Sequence, residues 1–323
     1  MSSPIGAGDS ATTFCGNVSP YIEHISRRRY QILVLRVQGL CSKIDMMASP
    51  PKPPTAAELR EKLMHASHIL HHHDILDGFG HISVRNPEDP TTCFLTGTAA
   101  ALITSPDVFT EYRISDGQPV KDGVFVSPYS EHHIHAAILA KFPGVHSVVH
   151  SHALDVLAYT VTSGSASEAQ STTSTSTLRP IIHKTGFLGE SVPVWDVAGA
   201  YTSEHEQRNR YLLVNDYHLG ESLAAAADKP SGQYPYHKVV LQRGHGFVAL
   251  GDSIEEAVYN AIYTVENARV QAQAEQRSNV HSDQHIHFLS RVEIEACAPM
   301  DRACITKVWP LWMAEIKRNP LWQ

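Results

Sequence analysis

The sequence predicts a mixed α/β domain, and three features carry that expectation. Apolar residues recur three and four apart in several stretches, short alternating or β-branched runs lie between them, and glycine or proline breaks separate the two kinds. At 323 residues with 42% hydrophobic side chains, the chain can bury one full core and carry extra segments at its ends.

Residues 1–54 close on Ala48-Ser-Pro-Pro-Lys-Pro-Pro54, a run that cannot propagate a helix, and read as an N-terminal extension with a stiff linker. From Thr55 the spacing of Ala56, Leu59, Leu63, Ala66, Ile69 and Leu70 predicts a first helix, with Thr55 and Glu58 placed as a capping box. Gly78 and Gly80 break it. His81–Arg85 and Thr92–Thr96 alternate as strands, and Val124–Val126 reads as another. Ser127-Pro128 supplies an N-cap and an N1 proline for a helix reaching Phe142, where Pro143-Gly144 stops it. His146–His152 follows as a strand. Residues 163–177 are almost wholly Ser, Thr, Gly, Ala and Gln, too polar to bury a face, and read as an insertion. Ile181–Ile182, Val192–Val194, Tyr211–Val214 and Lys238–Leu241 are further strand candidates, with helices expected over Leu219–Ala227 and Ser253–Arg277. The catalytic domain therefore spans 55–280. Residues 281–323 form a C-terminal helical segment, whose amphipathic stretch Ala303–Lys317 carries Trp309 and Trp312 as packing anchors.

A net charge of −7 without a long Lys or Arg run gives no electrostatic reason for a nucleic-acid or anionic-membrane partner, so a small-molecule substrate is expected. No apolar stretch approaches the roughly 20 residues that span a bilayer, and Arg27-Arg28-Arg29 with the short run after it lacks a signal-peptide cleavage site. The five cysteines, Cys15, Cys41, Cys93, Cys297 and Cys304, are odd in number and far apart, as expected for reduced thiols in a cytoplasmic protein.

Histidine, with 21 residues, is the outlier in composition. His150 and His152 sit two apart on a strand and point to one face, so both imidazoles can converge on one ion. His245 lies between Gly244 and Gly246, which let a strand end turn and present it as a third ligand. Three nitrogens with one open position make a catalytic zinc arrangement. Either motif alone can equally be a chance pair or a plain turn. Glu131 falls in the first turn of the Ser127-Pro128 helix with His135 four residues on, so the two share a helical face. Beside a divalent ion such a carboxylate can move a proton to or from substrate carbon, although alone it reads equally as a partner of the helix dipole. The group His65, His68, His71, His72 and His73 spreads around the first helix and reads as structural. His183 is either a core histidine or a pocket residue in contact with substrate.

Taken together, Gly80-His-Ile-Ser-Val-Arg85, Glu131 with His135, Val149-His-Ser-His152, Leu188-Gly189 with Val192-Pro-Val194, and Arg243-Gly-His-Gly246 resemble the class II aldolase/adducin domain over roughly residues 55 to 280. The resemblance implies a three-layer α/β/α sandwich with a central, mainly antiparallel sheet. It implies one divalent ion on His150, His152 and His245, with Zn2+ as first choice and Mn2+, Fe2+ or Co2+ as others. It also implies a homo-oligomer with sites near subunit contacts. His81 stands where sugar-phosphate aldolases of this family usually carry a phosphate-holding Asn, while Thr96-Gly97 matches another part of that pocket and Tyr129-Ser130 replaces a Ser pair. Gly-His-x-Ser-x-Arg and Glu-x-x-x-His are closer to branches acting on unphosphorylated acids, including hydroxyaromatic and keto-acid decarboxylases. The expectation is a carbon–carbon lyase, decarboxylase ahead of aldolase, working through a metal-stabilised enolate. Glu131 handles the proton, Arg85 or the N-terminus of the Glu131 helix holds a carboxylate, and His81, Ser83, Ser130 and His135 line the substrate site. Two alternatives stay open: a non-haem iron oxygenase on the same fold, and a non-catalytic adducin-like interaction module.

Overall fold

A computed structural model describes residues 53–121, 129–162, 177–207, 210–228, 236–280 and 285–322. The N-terminal extension apart from its last residues, the strand at Val124–Val126, the Ser127-Pro128 helix start and nearly all of the 163–177 insertion lie outside them. Pro54–Gln323 forms one compact unit.

The unit opens on α1 (Ala56–His72), where Thr55 and Glu58 close the expected capping box reciprocally. The strands are β1 (His81–Arg85), β2 (Thr92–Leu95), β3 (Thr110–Arg113), β4 (Ser147–Ser151), β5 (Val194–Trp195), β6 (Val239–Gln242) and β7 (Gly246–Gly251). Between and after them come the helices α2 (His132–Lys141), α3 (Leu154–Val161), α4 (Ser203–Gln207), α5 (Tyr217–Ala226), α6 (Ile254–Val280) and α7 (Arg291–Arg318). One seven-stranded sheet runs in the order β3-β2-β1-β4-β7-β6-β5, antiparallel throughout except for β5 beside β6.

The sheet has two apolar faces, which makes the molecule three-layered. Ile82, Val84, Val149, Phe247 and Ala249 share a core with Leu63, Ile69 and Leu70 of α1 and with Val258, Ile262 and Val265 of α6. Cys93, Val148, Val240 and Val248 share a second with Ile134 and Ile138 of α2 and with Leu219 and Leu223 of α5. Because side chains alternate along a strand, this second face also receives His81, Ser83 and His150, which the register pairs as His81 with His150 and Ser83 with Val148. Three polar side chains thus stand in the layer between sheet and α2, at the end of the sheet where β1 begins and β4 ends.

Several sequence expectations change. Helix α2 begins at His132 with Glu131 at its N-cap, rather than at Ser127-Pro128. Tyr211–Val214 and Ile181–Ile182 are irregular, and β3 and β7 are strands beyond those expected. The C-terminal stretch is part of a longer helix, α7, which contains both Pro299 and Pro310.

Candidate metal centre

Three imidazoles and one carboxylate meet at this end of the sheet. His150 comes from β4, His152 follows it, His245 precedes β7, and Glu131 stands at the start of α2. Nε2 of His152 lies 3.0 Å from Nε2 of both His150 and His245. Glu131 Oε2 lies 3.3, 3.9 and 3.2 Å from Nε2 of His150, His152 and His245. The approach of β4 to β7 depends on Gly246, where a Cβ would stand 2.1 Å from the Ser151 carbonyl oxygen. The neighbouring Gly244 takes a φ of +65° in the turn that delivers His245.

Each imidazole is oriented through its other nitrogen. His150 Nδ1–H donates to the Phe247 carbonyl at 3.2 Å, His245 Nδ1–H to the Leu212 carbonyl at 2.8 Å, and His152 Nδ1–H to Asp77 Oδ1 at 3.3 Å. These bonds place the protons on Nδ1 and leave three Nε2 lone pairs converging with a carboxylate oxygen. Such lone pairs repel one another unless a cation lies among them. Ligands at ~2.0–2.1 Å from a tetrahedral ion stand about 3.3 Å apart, close to the separations given above, so the donor set fits a divalent metal.

The electrostatics agree with that chemistry. Burial, with the neighbouring His150 and His245, pulls His152 down to about 4, so it is neutral and able to ligate at pH 7. Burial opposes ionisation of Glu131, but the charge that His150 and His245 carry whenever they are protonated, and the hydrogen bonds they then donate, outweigh it and hold the carboxyl far below its usual range. For His245, burial likewise lowers the value and the Glu131 carboxylate more than restores it. Glu131 Oε1 accepts the Val214 N–H at 3.0 Å, which fixes the carboxylate's orientation.

Beside the centre, His81 Nδ1 lies 2.6 Å from His135 Nε2, and His135 Nδ1 lies 2.6 Å from Ser83 Oγ. Burial and neighbouring histidines push His135 down to about 3 and His81 well below its ordinary value, so both are neutral. The His81 ring also packs against Tyr129 and His150, with centroids at 4.7 and 5.1 Å. Ser130 is exposed, one residue before Glu131. Thr96 and Gly97 follow β2 at the same end of the sheet, and the Thr96 hydroxyl accepts the Thr98 N–H.

Two expected substrate contacts are not in the site. Arg85 lies on the same sheet face as His81 but at the opposite end of β1, where its guanidinium donates to the carbonyls of Pro90, Leu139, Phe142 and Val145. A cation at the C-terminus of α2 satisfies helix carbonyls that have no intrahelical donor. Arg85→Met should therefore lower the unfolding free energy by roughly 3 kcal/mol, the order expected when buried carbonyls lose a charged donor, and leave KM for an acid substrate unchanged. Denaturant melts and steady-state kinetics check this; a raised KM at full stability would return Arg85 to the substrate. His183 is exposed, on a segment that Asn267 of α6 holds from the other side of the sheet through Ile181 N–H and the Thr185 hydroxyl.

The residues sequence reasoning missed are the orienting ones. Asp77 has no part in the sequence reading, although an Asp between a helix end and Gly78 suits an Asx turn. Its Oδ1 accepts the N–H groups of Phe79 and Gly80 before it meets His152. Leu212 presents its carbonyl from a φ of +60°, for which a leucine gives no sequence signal. The group His65–His73 is structural, as expected: His68 is buried, bonds the Ile103 carbonyl and stacks on Trp322 at 4.5 Å. Cys93, Cys297 and Cys304 are free thiols, and among the described residues no helix is long and apolar enough to cross a membrane.

This fold and site define a family, and the chain belongs to it: residues 61–272 match the Class II Aldolase and Adducin N-terminal domain. Among relatives, it is 41% identical over 266 residues to the decarboxylase tropJ of Talaromyces stipitatus, covering 79% of this chain and 92% of that one. It is 30% identical over 222 residues to the 3,4-dihydroxyphthalate decarboxylase of Arthrobacter keyseri, covering 65% of this chain and 76% of the relative. Among solved structures, the L-fuculose 1-phosphate aldolase of Glaciozyma antarctica superposes with a TM-score of 0.59 at 19% identity, over 83% of this chain and 94% of the aldolase. That likeness concerns the fold.

Proposed function

We propose that this protein is a metal-dependent carbon–carbon lyase that decarboxylates a small, unphosphorylated hydroxyaromatic or keto acid. The observation that carries the reading is the convergence of three Nε2 lone pairs with the Glu131 carboxylate, each imidazole held in its ligating tautomer. His150, His152 and His245 would hold the ion, with zinc as first choice for an all-nitrogen set that keeps one position for substrate. When bound, the ion supplies the positive charge that draws electron density from the breaking bond onto a substrate oxygen. Two relatives at 41% and 30% identity that carry decarboxylase names support this reaction over aldol cleavage.

Glu131 fits the proton's path. As a carboxylate it can take the proton of the substrate hydroxyl that displaces it from the centre, and return that proton to the carbon losing CO2. The C–COO⁻ bond breaks, its electron pair remains with the substrate, and the carbon gains hydrogen. The buried His81, Ser83 and His135 give that pocket a neutral polar wall, and no cation among them is placed to take a phosphate.

A screen on the Zn2+- or Mn2+-loaded enzyme tests this. Hydroxyaromatic and keto acids should release CO2, and ketose or aldose phosphates should release no aldehyde. Efficient cleavage of a sugar phosphate, with none of the acids turned over, would replace the reading by an aldolase.

A further inference from the structure

His81 is almost fully buried, yet its Nε2 has no hydrogen-bond partner among the described residues, while its Nδ1 is taken by His135. The two nitrogens of an imidazole diverge, so Nε2 points away from His135, and the His81 ring itself packs against His150 of the metal centre and Tyr129, with centroids at 5.1 and 4.7 Å.

The chain Ser83–His135–His81 can be polarised in two ways, because each neutral imidazole carries one N–H. In one, Ser83 O–H donates to His135 Nδ1, His135 Nε2–H donates to His81 Nδ1, and His81 Nε2 carries the outermost proton. In the other, every bond reverses and His81 Nε2 offers a lone pair. The reversed chain makes His135 Nδ1–H the donor to Ser83 Oγ and leaves the serine hydroxyl proton without an acceptor among the described residues, so a second buried group goes unsatisfied. A lost buried hydrogen bond costs about 1–3 kcal/mol, which favours the first polarity. Ser83 therefore fixes, through His135, a neutral N–H on His81.

We infer that His81 Nε2–H is a preset donor to the substrate oxygen that gains negative charge as the C–COO⁻ bond breaks, with His135 and Ser83 as its positioning residues. This deepens the proposed decarboxylation and rests on it. A buried donor locked by two short bonds needs no reorganisation when charge develops, so its effect belongs to the transition state more than to substrate binding.

Two measurements test it. In protein labelled with 15N at histidine, long-range 1H–15N spectra of the Zn2+-loaded enzyme should show His81 and His135 both as Nε2–H tautomers, with assignments from His81→Leu and His135→Leu. An Nδ1–H tautomer at His81 overturns the inference, and since no substrate is involved this outcome is independent of the proposed reaction. In kinetics with the acid that wild type decarboxylates fastest, His81→Leu should cut kcat by roughly 10²–10³-fold, the usual effect of removing one such donor, with KM and metal content little changed. His81→Gln, which can restore an N–H, should recover part of the loss. A KM increase with unchanged kcat would make His81 a simple carboxylate holder and overturn the role inferred. If wild type turns over no acid, the proposed reaction fails while the tautomer result stands by itself.

Discussion

Glu131→Gln should retain the metal and lose turnover by roughly 10²–10⁴-fold, the worth of positioned acid–base catalysis. The substitution isolates the proton from the geometry. A glutamine keeps the length and position of the side chain, and its amide oxygen can still accept the Val214 N–H that orients Oε1. What disappears is a group able to take a proton and return it. Glu131 Oε2 stands within 3.3 Å of His150 and His245 Nε2, so in the resting protein it would double as a fourth donor, and its loss should weaken metal affinity modestly. Kinetics at saturating Zn2+, with metal content measured on the same samples, separate the two effects. Near wild-type turnover in the fully loaded variant would remove Glu131 from the proton's path.

The parts of this centre legible in the sequence are those whose geometry is local. His150 and His152 converge because a strand alternates, and His245 was marked by glycines, one of which the structure requires for the contact of Gly246 with Ser151. The start of α1 was legible because Thr55 and Glu58 satisfy backbone donors within four residues. The rest depends on tertiary partners. Tyr211–Val214 has strand-like composition, yet its backbone is drawn out of any ladder: Leu212 offers its carbonyl to His245, and Val214 its N–H to Glu131. Strand β3, with the sequence Thr-Glu-Tyr-Arg, lies at the sheet edge with one residue in four buried, so no apolar pattern marks it. Arg85 is expected at a substrate carboxylate only because it closes the Gly-His-x-Ser-x-Arg motif of the resemblance. Its sheet face was the right one, but β1 is long enough to carry it to the far end, against the last carbonyls of α2.

His245→Ala should strip the centre to well under one ion per chain after brief dialysis, and the triple alanine variant of His150, His152 and His245 should bind none. The size of the effect follows from the order of contacts. Asp77 would act on the ion only through His152 Nδ1, so Asp77→Ala should weaken affinity about 10–100-fold, as losses of orienting partners do. Removing His245 would take away a bond to the ion itself, together with the partner of the Leu212 carbonyl and one neighbour of the Glu131 carboxylate. Its effect should therefore exceed that of Asp77→Ala, and competition with a chromogenic chelator can rank the two. Substrate-independent readouts matter, because Glu131→Gln, with the opposite signature of full metal and lost turnover, is the control that separates ligand from proton carrier. Full occupancy in the triple variant would place the metal elsewhere, and equal affinities for Asp77→Ala and His245→Ala would mean that His245 is not a ligand.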